Sequence, residues 1–140
     1  MPNPQAPDGS LHHSVTLSIA VSNVEQALGF YAQAFGAREI YRAPDASGRI
    51  MHGQVRIGDT ILFIAQEQPG DPRSYQAPIT LQGTTCALYM YVDDCDAAFQ
   101  RALAAGASAL HPVATRPWGD QEGLVRDLFG HLWAIATRRA

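Results

Sequence analysis

A chain of 140 residues, 46% hydrophobic and 16% charged, is long enough to bury a core as one domain without disulfide or metal staples. A net charge of −3 advertises no surface for a polyanion, and all ten basic residues are arginine, which excludes Schiff-base and P-loop lysine chemistry. Cys86 and Cys95 lack CxxC spacing and are expected to be reduced core residues. No apolar run reaches transmembrane length, so a cytoplasmic protein with no membrane or nucleic-acid partner is expected.

Residues 1–13 carry three prolines without the basic-then-apolar order of a signal peptide, and they are expected to be a disordered lead-in. Residues 15–21 alternate apolar with small or polar side chains, the pattern of a half-buried strand. Ser22 and Asn23 are helix-capping residues, 24–35 has helical spacing through Val24, Leu28, Tyr31 and Phe35, and Gly36 stops it. Three strand-like runs follow, at 38–42, 49–57 and 60–66, the last two turning at Gly58. Residues 67–83, rich in proline, glycine and glutamine, read as a linker. The same order then returns: a strand at 86–92, a cap at Asp93 and Asp94, a helix at 95–105, Gly106, and strands at 108–114, 123–127 and 131–137, the last pair turning at Gly130.

The reading is therefore an α+β chain of two tandem βαβββ modules, 14–66 and 84–137, within a single domain over 14–140. One helix per four strands leaves one face of each sheet free to meet another or to line a cleft.

The ordered motifs resemble the vicinal oxygen chelate (glyoxalase/bleomycin-resistance) superfamily, in its PhnB-like and bleomycin-resistance-like branches. They are Phe30-Tyr31 through Phe35-Gly36-Ala37, Arg56-Ile57-Gly58-Asp59, Pro117-Trp118-Gly119-Asp120, and Asp127-Leu128-Phe129-Gly130-His131-Leu132-Trp133, where Leu128 replaces the usual proline. The resemblance covers about 14–137 and implies curved mixed sheets around a cleft, helices on the convex side, and pairing of modules, often in a dimer. It also implies a divalent metal held by His, Gln or Glu from the first and last strand of each module. Those positions carry over to Thr16 and Leu62, and to Ala87 and Ala134, none an ordinary ligand. A metal-independent protein without cofactor is expected.

Strand alternation assigns the faces. Val15, Leu17, Ile19, Val21, Cys86, Leu88, Met90 and Val92 should face the helices, together with Met51, Val55, Ile57, Phe63, Trp133 and Ile135. The cleft should then receive His52, Gln54 and Arg56, Leu62 and Ile64, Tyr89 and Tyr91, Glu122, Leu124 and Arg126, and the alanines Ala134 and Ala136. Trp118, in a loop, is placed to close over it. The tyrosines could instead fill a core, and Glu122 and Arg126 could simply pair with each other. His111 and His131 read as structural.

Candidate ligand contacts are thus His52, Gln54, Leu62, Tyr89, Tyr91, Trp118, Glu122 and Arg126. A mostly apolar cleft with a few polar groups suits a small aromatic or amphipathic ligand. Sequestration of a toxic compound by a homodimer is the leading expectation. The alternative is a lyase, isomerase or dioxygenase-like enzyme of the same superfamily, with His52, Glu122 or a tyrosine as acid or base. No GxSxG elbow or glycine-rich phosphate loop is present.

Overall fold

The computed structural model describes residues 13–139, so the expected lead-in lies outside the described residues except for exposed His13. The described residues form two compact units, 13–32 with 36–77, and 33–35 with 78–139. The first contains β1 (Ser18–Val21), most of α1 (Val24–Phe35), β2 (Arg38–Pro44), β3 (Ile50–Ile57) and β4 (Thr60–Gln66). The second contains a short α2 (Pro78–Leu81), β5 (Ala87–Tyr91), α3 (Cys95–Ala105), β6 (Ser108–Thr115), β7 (Gln121–Arg126) and β8 (Leu132–Thr137). The expected α+β architecture of two βαβββ modules is what is found.

Each unit is one open mixed sheet with the same order, β1-β4-β3-β2 and β5-β8-β7-β6. The first strand of each runs parallel to the last, and the other pairs are antiparallel. The helices end where local chemistry dictates. Asn23 accepts a hydrogen bond from the Gln26 N–H at 2.8 Å, and Asp94 accepts one from Ala97 at 3.1 Å. Gly36 and Gly106 then take left-handed conformations, φ 68° and 119°, which a side chain would resist.

A second repeated device pins each helix start to its sheet. In the first unit Gln66 Oε1 accepts from the Val24 N–H at 3.2 Å while its Nε2 donates to the Ser22 carbonyl at 2.8 Å. In the second, Thr137 Oγ1 accepts from the Cys95 N–H at 2.9 Å and donates to the Val92 carbonyl at 3.0 Å. Gln66 and Thr137 end equivalent strands, so different side chains satisfy the same orphaned helix donor.

The core of each unit lies between sheet and helix. Val21, Val24, Leu28, Tyr31, Val55 and Ile64 are buried in the first, and Cys95, Phe99, Ala102, Val125, Trp133 and Ile135 in the second. Each large apolar side chain so buried contributes about 1.5–3 kcal/mol. Gly53 and Gly123 mark the closest approach of helix to strand. A Cβ on Gly53 would meet Leu28 at 3.0 Å, and one on Gly123 would meet the Phe99 ring at 2.8 Å.

The turn before β8 explains the motif around Gly130. Asp127 Oδ1 accepts from the Phe129 and His131 N–H groups at 2.9 and 3.0 Å, and its Oδ2 accepts from the Trp133 indole at 2.9 Å. Gly130, at φ 92°, lies so close to α2 that a Cβ would come within 2.7 Å of the Ile79 nitrogen. The expected linker therefore contains a docked helical turn with Pro78 buried. His131 is buried in this structural turn, as expected.

Three expectations are corrected. Cys86 is exposed, and only Cys95 is a core residue. Val15 is exposed rather than helix-facing, because β1 begins only at Ser18. Phe63 and Leu62 exchange faces. Leu62 and Ile64 are buried on the helix side, opposite Val55 and Gly53, while Phe63 pairs with Gln54 on the other face.

Candidate functional site

The helix-free face of the first sheet is built in rows across the strands. Ser18, Phe63, Gln54 and Tyr41 form one row, and Ala20, Ala65, His52 and Ala43 the next. Gln54 is buried, and its Nε2 lies 3.1 Å from His52 Nε2. An amide N–H donates, so the imidazole Nε2 accepts. The His52 ring stands edge-on to Phe63 at 5.4 Å, with Tyr41 at 6.3 Å. Partial burial holds the His52 pKa below its usual value. The sequence-predicted His52 and Gln54 are therefore brought together, and Phe63 joins them in the place expected for Leu62.

The physical reason is the hairpin. Ile57 pairs with Thr60, so β3 and β4 turn through Gly58 and Asp59 alone. Arg126 pairs with Leu132, so the equivalent turn takes 127–131. Gly58 and Gly130 are not equivalent, and counting from them shifts β4 by one residue, which reverses every side chain.

In the second sheet the predicted face is confirmed row by row. Tyr91, Ala136, Glu122 and Ala114 form one row, Tyr89, Ala134, Leu124 and His111 the next, and Ala87, Leu132, Arg126 and Ser108 the third. Gly123 and Val125 point the other way, toward α3. Along β5, Leu88 and Met90 are half-buried while Tyr89 and Tyr91 remain 44% and 47% exposed, so the tyrosines do not fill a core.

The tyrosines converge on a residue absent from the sequence-derived candidates. Asp120, only 4% exposed, accepts hydrogen bonds through Oδ2 from Tyr89 Oη at 2.9 Å and Tyr91 Oη at 2.8 Å. Trp118 donates its indole N–H to Tyr89 Oη at 3.0 Å. The turn is tight because Gly119 takes φ 100° and the Arg116 N–H bonds the Asp120 carbonyl at 2.8 Å. The two tyrosine rings lie 5.3 Å apart, and the Arg138 guanidinium sits 4.3 Å above the Tyr91 ring. Burial pulls the Asp120 carboxyl upward, but hydrogen bonds from Tyr91, Tyr89 and Trp118, with the nearby Arg138 charge, outweigh it and hold the carboxyl below its ordinary value. The Tyr89 hydroxyl is shifted upward by burial and by the same carboxylate.

Glu122, also 4% exposed, is an anchored carboxylate. Its partner is Arg116, not Arg126: Arg116 Nε donates to Glu122 Oε2 at 3.0 Å, and Nη2 reaches the Glu122 and Pro112 carbonyls at 2.9 and 3.1 Å. The same Nη2 contacts His111 Nδ1, and His111 Nε2 lies 3.7 Å from Glu122 Oε1. Arg126 is exposed four residues farther along β7. Asp120, Arg116 and Arg138 were missed because each lies in a turn or just past a strand end, where strand alternation assigns no face. Asp120 alone had a usable signal, its place beside Trp118 and Gly119.

The superfamily's metal positions do not fit a metal here. With the corrected register they are Thr16 and Phe63 in the first unit and Ala87 and Ala134 in the second, a hydroxyl, an aromatic ring and two methyls. Among the described residues no three His, Cys, Asp or Glu cluster as a metal site, and no helix is long and apolar enough to cross a membrane.

Known proteins place this arrangement. A Mycobacterium tuberculosis protein, Rv0887c, itself uncharacterized, is 35% identical over 118 residues, covering 84% of this chain and 69% of its own. The crystal structure of TioX from Micromonospora sp. ML1 is 31% identical, with a TM-score of 0.71 over 91% of this chain and 99% of that one. The fosfomycin resistance protein FosX from Mesorhizobium loti shares the fold at 21% identity, with a TM-score of 0.61 over 91% of this chain and 93% of its own. The model of the Glyoxalase/Bleomycin resistance protein/Dioxygenase superfamily matches residues 10–135. Two sheets with this strand order, carrying the family's turns at Gly58, Gly119 and Gly130, are thereby accounted for: the chain belongs to the glyoxalase/bleomycin resistance protein/dioxygenase superfamily.

Proposed function

We propose that this chain is a metal-independent binding protein for an aromatic or amphipathic small molecule, of the bleomycin-resistance-like branch, acting by sequestration. The observation that carries this reading is the set of exposed rings, Tyr89, Tyr91 and Trp118, tied by hydrogen bonds around Asp120. Exposed aromatics are normally mobile, but these are preorganised, which lowers the entropy lost when a flat ligand stacks on them. Glu122 and Arg126, on the same sheet as the rings, are polar contacts in this reading, and His52 with Gln54 is the polar pair offered by the first sheet's own open face. Sequestration needs only affinity, which rings and fixed polar groups supply without a nucleophile or metal.

A screen of aromatic compounds by native mass spectrometry, followed by titration, tests the proposal. Tyr89→Ala and Trp118→Ala should each weaken binding by about 1 kcal/mol or more, because stacking area and ring geometry are lost together. Full affinity in both folded variants would remove these rings from the site. Turnover of the bound compound would favour an enzyme instead. A homodimer belongs to the same proposal, and sedimentation as a monomer at tens of micromolar would remove that part.

A further inference from the structure

The aromatic group on the second sheet has a sign as well as a shape. Both phenol protons point at one carboxylate oxygen, and the Trp118 indole proton goes to the Tyr89 oxygen. Donors turned inward leave lone pairs and ring faces outward, and a ring face is the negative pole of the aromatic quadrupole. Asp120 adds a full negative charge at the centre, kept ionised by its donors. Trp118 is 61% exposed and the tyrosines nearly half exposed, so the ring faces are available. One face already carries a cation: the Arg138 guanidinium stands 4.3 Å above Tyr91, favoured in its charged form by Tyr91 and Asp120. Arg138 is an exposed residue just past the end of β8.

Building on the small-molecule reading above, we infer that Tyr89, Tyr91, Trp118 and Asp120 form a receptor for a flat organic cation, and that Arg138 is a built-in occupant which such a ligand displaces. The ligand class is an aromatic amidinium, guanidinium or protonated amine. Its charge meets a carboxylate and ring faces, and its N–H groups meet outward lone pairs. A carboxylate ligand of the same shape meets repulsion. Exchange of Arg138 for the ligand leaves one cation over Tyr91, so the charge of the site stays balanced, and an exposed arginine gives up little packing when it swings away.

Benzamidinium, benzamide and benzoate share a ring and nearly one shape but differ in charge. Titration calorimetry of the full chain and its variants with each separates charge from stacking. Benzamidinium should bind at least about tenfold tighter than benzamide, as expected for a charge-assisted contact, with benzoate weakest. Asp120→Asn should remove most of that preference. Arg138→Ala, which deletes only an exposed side chain, should tighten benzamidinium by about twofold to fivefold, the worth of an exposed cation–π contact. Equal affinity for benzamidinium and benzamide, with both lost in Trp118→Ala, overturns the cation inference and leaves the aromatic-binding reading standing. Unchanged benzamidinium affinity in Arg138→Ala overturns the role of Arg138. If no probe saturates at millimolar concentration the cation receptor is overturned, while the compound screen still decides the broader reading.

Discussion

The two sheets share one frame and fill it differently. Val24 and Cys95 open equivalent helices, and by the same spacing Ser18 is the counterpart of Tyr89, Ala20 of Tyr91, and Phe63 of Ala134. Aromatic bulk therefore stands on the last strand of the first unit and on the first strand of the second. The third strands keep polar groups in both, but the first sheet holds a neutral pair, Gln54 with His52, where the second holds a charged one, Glu122 with Arg116. The repeat keeps the side that faces the helices, which packing fixes, and leaves the open side free to diverge.

The largest consequence lies in the charged pair. Glu122 and Arg116 side chains are only 6% and 22% exposed. Arg116→Ala would leave a buried carboxylate without its cation, at a cost of about 3–5 kcal/mol. In the first sheet Gln54→Ala removes a neutral hydrogen-bonding group and should cost about 1–3 kcal/mol. Urea unfolding of both variants checks the order. If Gln54→Ala were the more destabilising, the contrast between charged and neutral faces would not govern stability.

A smaller contrast concerns the glycines under the helices. A Cβ on Gly123 would meet two Phe99 ring carbons at 2.8 Å and Val113 at 2.9 Å, and one on Gly53 would meet Leu28 at 3.0 Å and Val24 at 3.3 Å. A ring wedged between strand and helix cannot yield, whereas the end of a leucine turns aside. Gly123→Ala should therefore destabilise by about 1–3 kcal/mol through overpacking. Gly53→Ala should cost less, measured as the smaller fall in thermal midpoint.

How far the sequence could be read follows from the range of each signal. Both helices run as expected, 24–35 and 95–105, because caps and terminal glycines are local and act within a turn. Tyr89, Tyr91 and Glu122 lie on the expected face because β5 and β7 alternate without interruption. Leu62 failed because register depends on a turn length that Gly58 does not reveal. Asp120, Arg116 and Arg138 were not among the expected site residues for a related reason. Their roles arise only when the turn at Gly119 and the end of β8 meet side chains distant in sequence. The sheet core was legible, and the polar centre of the candidate site was not.

The smallest effect lies in the titration of the first sheet's histidine. Desolvation disfavours the charged imidazole of His52, and the Gln54 amide 3.1 Å away donates to Nε2, which places the ring proton on Nδ1. The folded state therefore binds fewer protons than the unfolded state, whose histidine titrates near about 6.5. The sign follows from linkage: the neutral ring's contribution to stability is fully present above that value and is lost as pH falls through it toward the depressed folded pKa. Because His52 is only half-buried, the step in stability should be slight, but the titration itself is directly visible. Nitrogen-15 chemical shifts of the ring should show the Nδ1–H tautomer at neutral pH and a midpoint below the ordinary histidine value of about 6.5, with His52→Gln assigning the signal. A midpoint at or above about 6.5 would mean that the ring is not held neutral by its surroundings. The contrast between a neutral first face and a charged second one would then fail near pH 6.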